Sequence, residues 1–358
     1  MAVACGCVHT VVVDADGRPW WWGMLIDDDS TISLLSSLQP APAAVAGDEH
    51  DDHAQCSARH RVVMVAAGRG HCAMVTEDGR VLTLGVGTDG RLGSGTDAPS
   101  VEARCAAGLD AERAVMVACG HFHTAAVTAS GKLYLWGFGG CGQLAVGDWT
   151  SRLRPTPVPA RSLGGERVEF VACGLMQTAA VTSQVRARAA ERALACPRRV
   201  AGAPRVACQH GWCRASDAHC LRVRQGNLYA WGGGEYGQLG LGDDKDRPHP
   251  CIVHFPSVLD PECRRPGSRI ISACCGSYFT AAVTADGHLY TWGLGDDGQL
   301  GCENCTVRYL PGLVSGLPHP VCVAAAGDAH MACARCCVHG VCLLLAPRPT
   351  PCPHSFSP

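Results

Sequence analysis

Four histidines occupy the same place in a phrase that recurs along the chain: His9, His71, His123 and His330. Imidazole can act as a general base or as a metal ligand near neutral pH, so the recurrence raises both kinds of chemistry. Two other copies of the phrase have Gln177 and Phe279 at this place, and neither side chain replaces imidazole in those roles. We therefore predict that these histidines are hydrogen-bonded structural residues of each repeat.

Cysteine is the second residue type that can react or bind a metal, and the chain has 24 cysteines among 358 residues. Two pairs, Cys302-x-x-Cys305 and Cys333-x-x-Cys336, have the spacing of zinc ligands. A zinc site would require the C-terminal segment to fold back onto the loop with the first pair, so we favour the interpretation without a metal. Four further cysteines share one repeat place with alanine, which indicates a small packed residue: Cys5, Cys119, Cys173 and Cys275, with Ala67 and Ala326 in the matching copies.

No arrangement typical of an enzyme is evident in the sequence, and we predict neither catalytic residues nor a cofactor. The recurring Gly-Gln-Leu-Gly loops, such as Gly298–Gly301, lack the Lys-Ser/Thr ending and the strand-to-helix setting of a phosphate-binding loop. Repeat surfaces mostly bind partners, so the repetition itself favours binding over catalysis.

The elements that position these residues are short strands joined by tight turns. In one clear copy, Ala281–Thr284 is a β-prone run, Asp286-Gly287 suits a hairpin turn, and Leu289–Trp292 is the return strand. The glycine that opens the phrase recurs at positions 6, 68, 120, 174, 276 and 327, at intervals of 62, 52, 54, 102 and 51 residues. A unit of this size with four short strands is typical of a β-propeller blade, so an all-β propeller is predicted.

The phrase resembles that of the regulator of chromosome condensation repeat family, which combines a Gly-x-x-His-Thr turn, a hairpin, a Trp-Gly pair and a Gly-Gln-Leu-Gly loop. Gly120–Thr124 followed by Trp136-Gly137 is one such copy. The resemblance implies a propeller that normally has seven blades. This chain has six copies of the first element and five of the Trp-Gly element, so we expect about six blades in a ring that need not close. The repeat tryptophans are predicted to be packing residues: Trp22, Trp136, Trp231 and Trp292.

The predicted propeller spans residues 1–334 and has two interruptions, while residues 335–358 leave the pattern as a tail that we expect to be disordered. The first interruption, 24–60, contains acidic stretches and is predicted to be a solvated loop, with partner docking as the alternative. Incomplete repeats at both ends are also what a fragment of a longer propeller would show.

The second interruption, 185–225, is an insertion, because its removal joins Gln184 to Gly226 and restores the repeated phrase. It contains nine arginines and only two acidic residues. It is either a basic loop that reaches an acidic partner or a phosphate backbone, or, as we favour, a disordered segment foreign to the repeat.

The two residues between the repeated glycine and the histidine place differ in every copy. A propeller gathers these turns on one face, and variable side chains on a constant frame are where binding specificity is expected. We predict that a partner is bound here by Arg69, His121, Phe122, Met176, Tyr278 and Asp328.

The predicted function is a protein-interaction propeller, a binding or regulatory platform for another protein such as a small GTPase or a ubiquitin-pathway component. The resemblance implies an alternative, a guanine-nucleotide exchange factor for a small Ran-like GTPase. The family's exchange factor uses an Asp and a His in such turns, and Asp328 and His121 have the matching types. A light-sensing role, which in the family uses tryptophans in these turns, is not favoured because the six turns contain none.

Composition argues against other classes of partner. A formal net charge of −2 predicts no general attraction to nucleic acid or to an anionic membrane. No apolar run approaches the roughly 20 residues that a membrane-spanning helix needs. With no targeting signal ahead of the first strand phrase, a cytoplasmic or nuclear location is expected.

Overall fold

The structure is a computed structural model that describes residues 2–26, 32–40, 61–183, 205–208, 211–214, 227–256, 269–302, 306–317, 320–337 and 340–345. These residues form five four-stranded antiparallel sheets, one three-stranded sheet and one two-stranded hairpin. The only helical segments in these ranges are two short 3₁₀ turns, Thr88–Gly90 and Ala160–Leu163. The predicted all-β fold, with about six propeller blades, is confirmed.

Each of the first three sheets is a blade whose strands follow one another in chain order. Blade 1 consists of β1 (Ala2–Cys5), β2 (His9–Val13), β3 (Pro19–Ile26) and β4 (Ile32–Pro40). Blade 2 consists of β5 (Val62–Ala67), β6 (His71–Thr76), β7 (Val81–Gly85) and β8 (Ser100–Cys105). Blade 3 consists of β9 (Ala114–Cys119), β10 (His123–Thr128), β11 (Leu133–Gly137) and β12 (Arg152–Pro157).

Blade 4 is interrupted along the chain but complete in space. It begins with β13 (Arg167–Cys173) and β14 (Gln177–Ser183), after which the chain makes a separate hairpin of β15 (Arg205–Cys208) and β16 (Gly211–Arg214). The chain then completes blade 4 with β17 (Leu228–Gly232) and β18 (Arg247–Ile252). Because β14 pairs directly with β17, the segment 185–225 is inserted between two neighbouring strands.

The last two blades follow the same order. Blade 5 consists of β19 (Ile270–Cys275), β20 (Phe279–Thr284), β21 (Leu289–Leu294) and β22 (Val307–Leu313). Blade 6 has three described strands, β23 (Val323–Ala326), β24 (Met331–Cys337) and β25 (Gly340–Leu345).

The repeated phrase produces one strand register in five blades. In blade 3 the histidine place pairs with the glycine of the Trp-Gly pair, His123 with Gly137, and Thr124 pairs with Trp136. Blades 1, 2, 4 and 5 have the same pairing. At Gly137 the pairing with β12 shifts by a bulge and φ is +105°, a conformation that glycine adopts without a steric penalty.

Apolar side chains fill the spaces between neighbouring blades. The described residues form five such cores, and each combines residues of one blade with residues of the next, from blades 1 and 2 to blades 5 and 6. The second strands β6, β10 and β20 are buried along their whole length because both faces of the strand meet a neighbour. Among the described side chains no core joins blade 6 to blade 1.

The inserted hairpin lies at this junction. Strand β16 contacts β1 of blade 1, and β15 contacts β23 of blade 6. The hairpin contains Val206-Ala207-Cys208, the same three residues that end β9 and β13 in blades 3 and 4. The insertion therefore places a segment that resembles the first strand of a blade between the two ends of the ring.

Two strands lie in segments for which irregular structure was predicted. β4 falls within the predicted loop 24–60, and its pairing with β3 shifts at Gly23 like the matching pairs of the other blades. β25 falls within the predicted tail 335–358 and pairs with β24, because Val341 and Leu343–Leu345 make it a β-prone apolar run. The rest of both segments, and of 185–225 beyond the hairpin, lies outside the described residues.

Candidate functional site

The turns between the first and second strands of the blades surround the mouth of a central cavity. The cavity has a volume of about 400 Å³ and is lined by the repeated glycines and by four cysteines that precede them: Gly6, Gly68, Gly120, Gly174, Gly276 and Gly327, with Cys5, Cys119, Cys173 and Cys275. We call the residues of the variable turns the turn face: Cys7, Val8, Arg69, Gly70, His121, Phe122, Leu175, Met176, Ser277, Tyr278, Asp328 and Ala329.

The repeated glycines bring neighbouring blades into backbone contact. A Cβ atom added to Gly174 would lie 2.4 Å from the carbonyl oxygen of Gly276, and one added to Gly120 would lie 2.3 Å from that of Gly174. The backbone N–H of His121 donates to the same Gly174 oxygen at 3.2 Å. The main chain, rather than the side chains, therefore sets the spacing of the turns around the mouth.

Buried hydrogen bonds at the histidine place join one blade to the next. His71 Nε2 lies 2.9 Å from Thr124 Oγ1 of blade 3, and His123 Nε2 lies 2.9 Å from Thr178 Oγ1 of blade 4. In blade 4 the Gln177 side chain takes the place of imidazole and donates to the carbonyl oxygen of Gly276 in blade 5 at 3.0 Å. In these three blades the place holds a polar group that reaches the next blade.

The tryptophan place makes a second connection between blades. Trp231 Nε1 donates to the carbonyl oxygen of Gln143 at 2.8 Å, and Thr178 Oγ1 donates to the same oxygen at 3.0 Å. Equivalent pairs occur at two further junctions, Trp136 with Thr124 and Trp292 with Thr280. We call this arrangement the Trp–Thr lock. It joins blade 2 to 3, blade 3 to 4 and blade 4 to 5, and its three tryptophans are fully buried.

The blades at the two ends of the ring depart from this pattern. Cys72 stands at the threonine place of blade 2, so His9 meets no threonine hydroxyl there, although it is buried. Trp22 of blade 1 is 40% exposed, in contrast to its predicted packing role, and His330 of blade 6 is exposed. In the middle blades the tryptophan contacts the preceding blade, and the residue at the histidine place contacts the following blade. No described side chain of another blade covers Trp22 before blade 1 or His330 after blade 6.

Burial lowers the pKa of the repeated histidines. Desolvation lowers the pKa of His9 to about 4 and that of His123 to about 3. It also lowers the pKa of His71 well below the ordinary range, and the charge of Arg91 acts in the same direction. These imidazoles are neutral and enclosed at neutral pH, which suits interblade hydrogen bonds and not proton transfer with a substrate.

Acid is expected to destabilise the protein through these histidines. Below about pH 6.5 an unfolded chain protonates His71, whereas the folded protein keeps it neutral, so stability falls as the pH drops from that value. One such histidine is expected to remove about 2 kcal/mol of stability between pH 6.5 and 5. Urea unfolding at pH 7 and 5 measures this, and His71→Gln, which copies Gln177, should reduce the difference by that amount. An identical pH dependence in the variant would contradict the assignment.

On the turn face, Phe122 is enclosed by cations and by another aromatic ring. The Cζ atoms of Arg69 and Arg91 lie 5.6 Å and 5.1 Å from the centroid of the Phe122 ring. Phe138 meets the same ring edge-on, with the centroids 6.2 Å apart. Such contacts hold a half-buried ring in one orientation at the surface.

Two further predicted binding residues are supported by neighbours that sequence reasoning missed. Tyr278 packs against Tyr236 with the ring centroids 4.7 Å apart, and the Met176 sulfur accepts a hydrogen bond from Gln143 Nε2 at 3.8 Å. Phe138 follows a Trp-Gly pair, and Tyr236 precedes a Gly-Gln-Leu-Gly loop. Variable residues directly after the Trp-Gly pair or directly before the Gly-Gln-Leu-Gly loop could therefore have been predicted as further binding positions.

Three turns from different blades meet at the cavity mouth. His121 Nε2 lies 3.0 Å from Asp328 Oδ1, while Cys7 Sγ lies 3.4 Å from that nitrogen and 3.6 Å from that oxygen. Among the six predicted binding residues, the structure thus pairs His121 with Asp328 and Arg69 with Phe122. Met176 and Tyr278 make their contacts elsewhere on the face.

The protonation states of this cluster follow from burial and from the mutual contacts. Desolvation, with the charge of Asp328, raises the pKa of the Cys7 thiol to about 12. Desolvation lowers the pKa of His121 and outweighs the opposite effect of Asp328. For Asp328, desolvation acts upward, but the hydrogen bond and charge of His121 hold its pKa below the usual value. At neutral pH a neutral imidazole N–H therefore donates to a carboxylate.

The two cysteine pairs with zinc-ligand spacing fall partly outside the described residues. The side chains of Cys305 and Cys336 lie outside them, and Cys333 is buried in the core between blades 5 and 6. The arginine side chains of the insertion 185–225 also lie outside them. Within the described ranges, no helix is both long and apolar enough to cross a membrane.

Comparison with known proteins places this architecture in one family. The RCC1-like domain family matches residues 35–335. The chain is 31% identical over 340 residues to the ultraviolet-B receptor UVR8 of Arabidopsis thaliana, covering 88% of this chain and 70% of that protein. It is 30% identical over 343 residues to the E3 ubiquitin-protein ligase HERC2 of Homo sapiens, covering 92% of this chain but only 7% of that protein.

Solved structures with low sequence identity share the fold. Human WBSCR16 superposes with a TM-score of 0.64 at 23% identity, over 92% of this chain and 72% of that one. Prp20p of Saccharomyces cerevisiae superposes with a TM-score of 0.65 at 16% identity, over 92% of this chain and 67% of that one. At these identities the likeness concerns the propeller alone.

Proposed function

Because the chain belongs to the RCC1-like domain family, we propose that it is a non-enzymatic propeller that binds another protein through the turn face. Binding and regulation are the common roles of such propellers. The proposal assigns recognition to the six predicted residues: Arg69, His121, Phe122, Met176, Tyr278 and Asp328.

The observation that carries the proposal is the enclosure of Phe122. Its ring is half-buried and in contact with Arg69, Arg91 and Phe138, so little conformational entropy remains to be lost on binding. Aromatic residues, phenylalanine included, and arginine are enriched in protein interfaces, where a few residues carry most of the binding energy. The turns that present them are held by backbone contacts between blades, which makes the surface rigid before a partner arrives.

The repeated polar residues support a binding role over a catalytic one. His71 and His123 are buried and bonded to threonines, and those threonines donate to backbone carbonyls. No reacting group could reach these hydroxyls or imidazoles without opening a junction between blades.

Replacement of Phe122 by alanine is expected to weaken partner binding about tenfold or more, since it removes an enclosed aromatic anchor. Proteins captured from a lysate by the immobilised chain would be purified and titrated against both forms. Val101→Ala is the matched control, because Val101 is 66% exposed on β8 and lies outside the turn face. A purified partner that binds wild type and Phe122→Ala equally would place the binding surface elsewhere.

A second candidate function is guanine-nucleotide exchange on a small Ran-like GTPase. The observation that favours it is the hydrogen-bonded pair of His121 and Asp328 at the cavity mouth, the residue types that the family's exchange factor uses. Prp20p binds Gsp1p and histones, and its likeness to this chain lies in the fold.

Release of fluorescent GDP from a Ran-type GTPase decides between the candidates. Acceleration by wild type that is lost in both His121→Gln and Asp328→Asn would establish exchange activity. No acceleration by a folded chain would leave the platform role. A ubiquitin-pathway protein is a further candidate partner, since HERC2 is a ubiquitin ligase.

We also propose that the protein is located in the cytoplasm or the nucleus.

A further inference from the structure

The cluster of Cys7, His121 and Asp328 brings together three classes of metal ligand from three blades. Cys7 belongs to the turn of blade 1, His121 to that of blade 3 and Asp328 to that of blade 6. Their sulfur, nitrogen and oxygen atoms all lie within 4.8 Å of one another. The three ligand atoms come from turns that are distant in sequence, so they meet only because the ring brings these turns together.

The distances within the cluster match the edges of a zinc coordination tetrahedron. Zinc binds sulfur at about 2.3 Å and nitrogen or oxygen at about 2.0–2.1 Å, which separates S from N or O by about 3.5 Å and N from O by about 3.3 Å. The observed separations are 3.4 Å for S to N, 3.6 Å for S to O and 3.0 Å for N to O. An ion could therefore enter with shifts of a few tenths of an ångström.

From this geometry we propose that Cys7, His121 and Asp328 bind one zinc ion at the cavity mouth. Thiolate, imidazole and carboxylate are all zinc ligands, and the d electrons of zinc impose no geometric preference on a mixed set of this kind. Binding would release the Cys7 thiol proton to solvent, and the His121 proton would move from Nε2 to Nδ1 so that Nε2 can bind the ion. Three protein ligands leave a fourth coordination position for a water molecule, and two of the three ligand residues, Cys7 and Asp328, are exposed to solvent.

The His121 ring is already held in place for this role. It meets Phe122 edge-on, with the centroids 6.0 Å apart and an interplanar angle of 73°. Arg91 Nη1 donates to the carbonyl oxygen of His121 at 3.4 Å, which restrains the turn that carries the ring. The side chain is only 14% exposed, so a metal would approach it from the side of Cys7 and Asp328.

The ion would connect the two ends of the ring. Blades 1 and 6 share no apolar core among the described side chains, yet Cys7 and Asp328 come from these two blades. A zinc ion would bind them to each other and to blade 3 across the mouth. Metal binding of this kind contributes directly to folding stability, so zinc should raise the melting temperature of the chain.

Cobalt and zinc titrations of the metal-stripped full chain, kept reduced, test the proposal. Wild type is expected to bind one more equivalent of Co²⁺ than Cys7→Ser, His121→Gln or Asp328→Asn, with a thiolate-to-cobalt absorption band that Cys7→Ser lacks. Loss of an outer-sphere partner alone weakens zinc affinity about 10–100-fold, so loss of a ligand should weaken it about 100-fold or more. Zinc should raise the melting temperature of wild type and not that of the three variants.

Cys5→Ser is the matched control, because Cys5 also lines the cavity but lies outside the cluster. The control should bind the metal like wild type. Asp328→Asn keeps the test decisive if Cys7→Ser fails to fold, since Asp328 is exposed and its replacement is nearly isosteric. Equal binding by wild type and Asp328→Asn, or equal loss in Cys5→Ser and Cys7→Ser, would overturn the proposal.

Discussion

Replacement of Trp231 by alanine should lower the free energy of unfolding by about 3–5 kcal/mol, the range for a buried tryptophan. Trp231 is fully buried between blades 3 and 4, and its Nε1 donates to Gln143. The substitution leaves a cavity and half of the Trp–Thr lock, because only Thr178 still donates to that carbonyl oxygen. Urea unfolding followed by circular dichroism measures the loss.

Trp149→Ala provides the matched control, since Trp149 is 48% exposed. Its substitution should change stability by no more than about 0.5 kcal/mol, as is usual for surface positions. Trp231→Phe retains most of the buried area and loses the N–H donor, so it should fall between the two. Similar losses for Trp149→Ala and Trp231→Ala would mean that the lock does not stabilise the ring.

Gly174→Ala is expected to destabilise the protein by about 3 kcal/mol, as overpacking of a tight interior does. The added methyl group would lie 2.4 Å from the carbonyl oxygen of Gly276 and 2.5 Å from the amide nitrogen of Gln177. The carbonyl group belongs to the main chain, and the Gln177 side chain donates a hydrogen bond to it. Moving either group away from the methyl group would therefore disrupt the backbone or this hydrogen bond. Thermal and urea unfolding would show the change.

Gly165→Ala is the control that separates the effect of a steric clash from the effect of backbone strain. Nothing lies within 4 Å of a Cβ at Gly165, but its φ is +73°, so alanine there should cost only about 1–2 kcal/mol through the left-handed conformation. If Gly174→Ala destabilised the protein less than Gly165→Ala, backbone contact between blades would not be the reason for the repeated glycine.

The strand order within a blade could be predicted because the repeated phrase contains both partners of each contact. Thr124 and Trp136 occupy fixed places in one phrase, and the structure pairs them as neighbours. The strands β4 and β25 escaped prediction because they lie outside the phrase, in segments whose composition resembles a loop or a tail. Their place in the sheet comes from pairing with β3 and β24, which a local pattern does not encode.

The contacts at the cavity mouth could be predicted only in part. All the variable turns occupy equivalent places, so the sequence predicted a common face. It did not predict that Cys7 would meet His121, 114 residues away, or that His121 would meet Asp328, 207 residues away. Which turns approach one another depends on where the two ends of the ring come to lie, and that is decided by packing between blades.

The Trp–Thr lock occurs at the three junctions among blades 2 to 5, whereas blades 1 and 6 attach to their neighbours through apolar packing and backbone hydrogen bonds without the lock. Local opening begins where buried hydrogen bonds are fewest, so we expect amide hydrogens of the outer blades to exchange with solvent before those of the middle four. We therefore expect the four middle blades to be the most rigid part of the ring. Motion at the mouth would then come from blades 1 and 6, restrained by the β15–β16 hairpin and by the contacts of Cys7 with His121 and Asp328, while the middle blades keep Phe122 and Tyr278 in place.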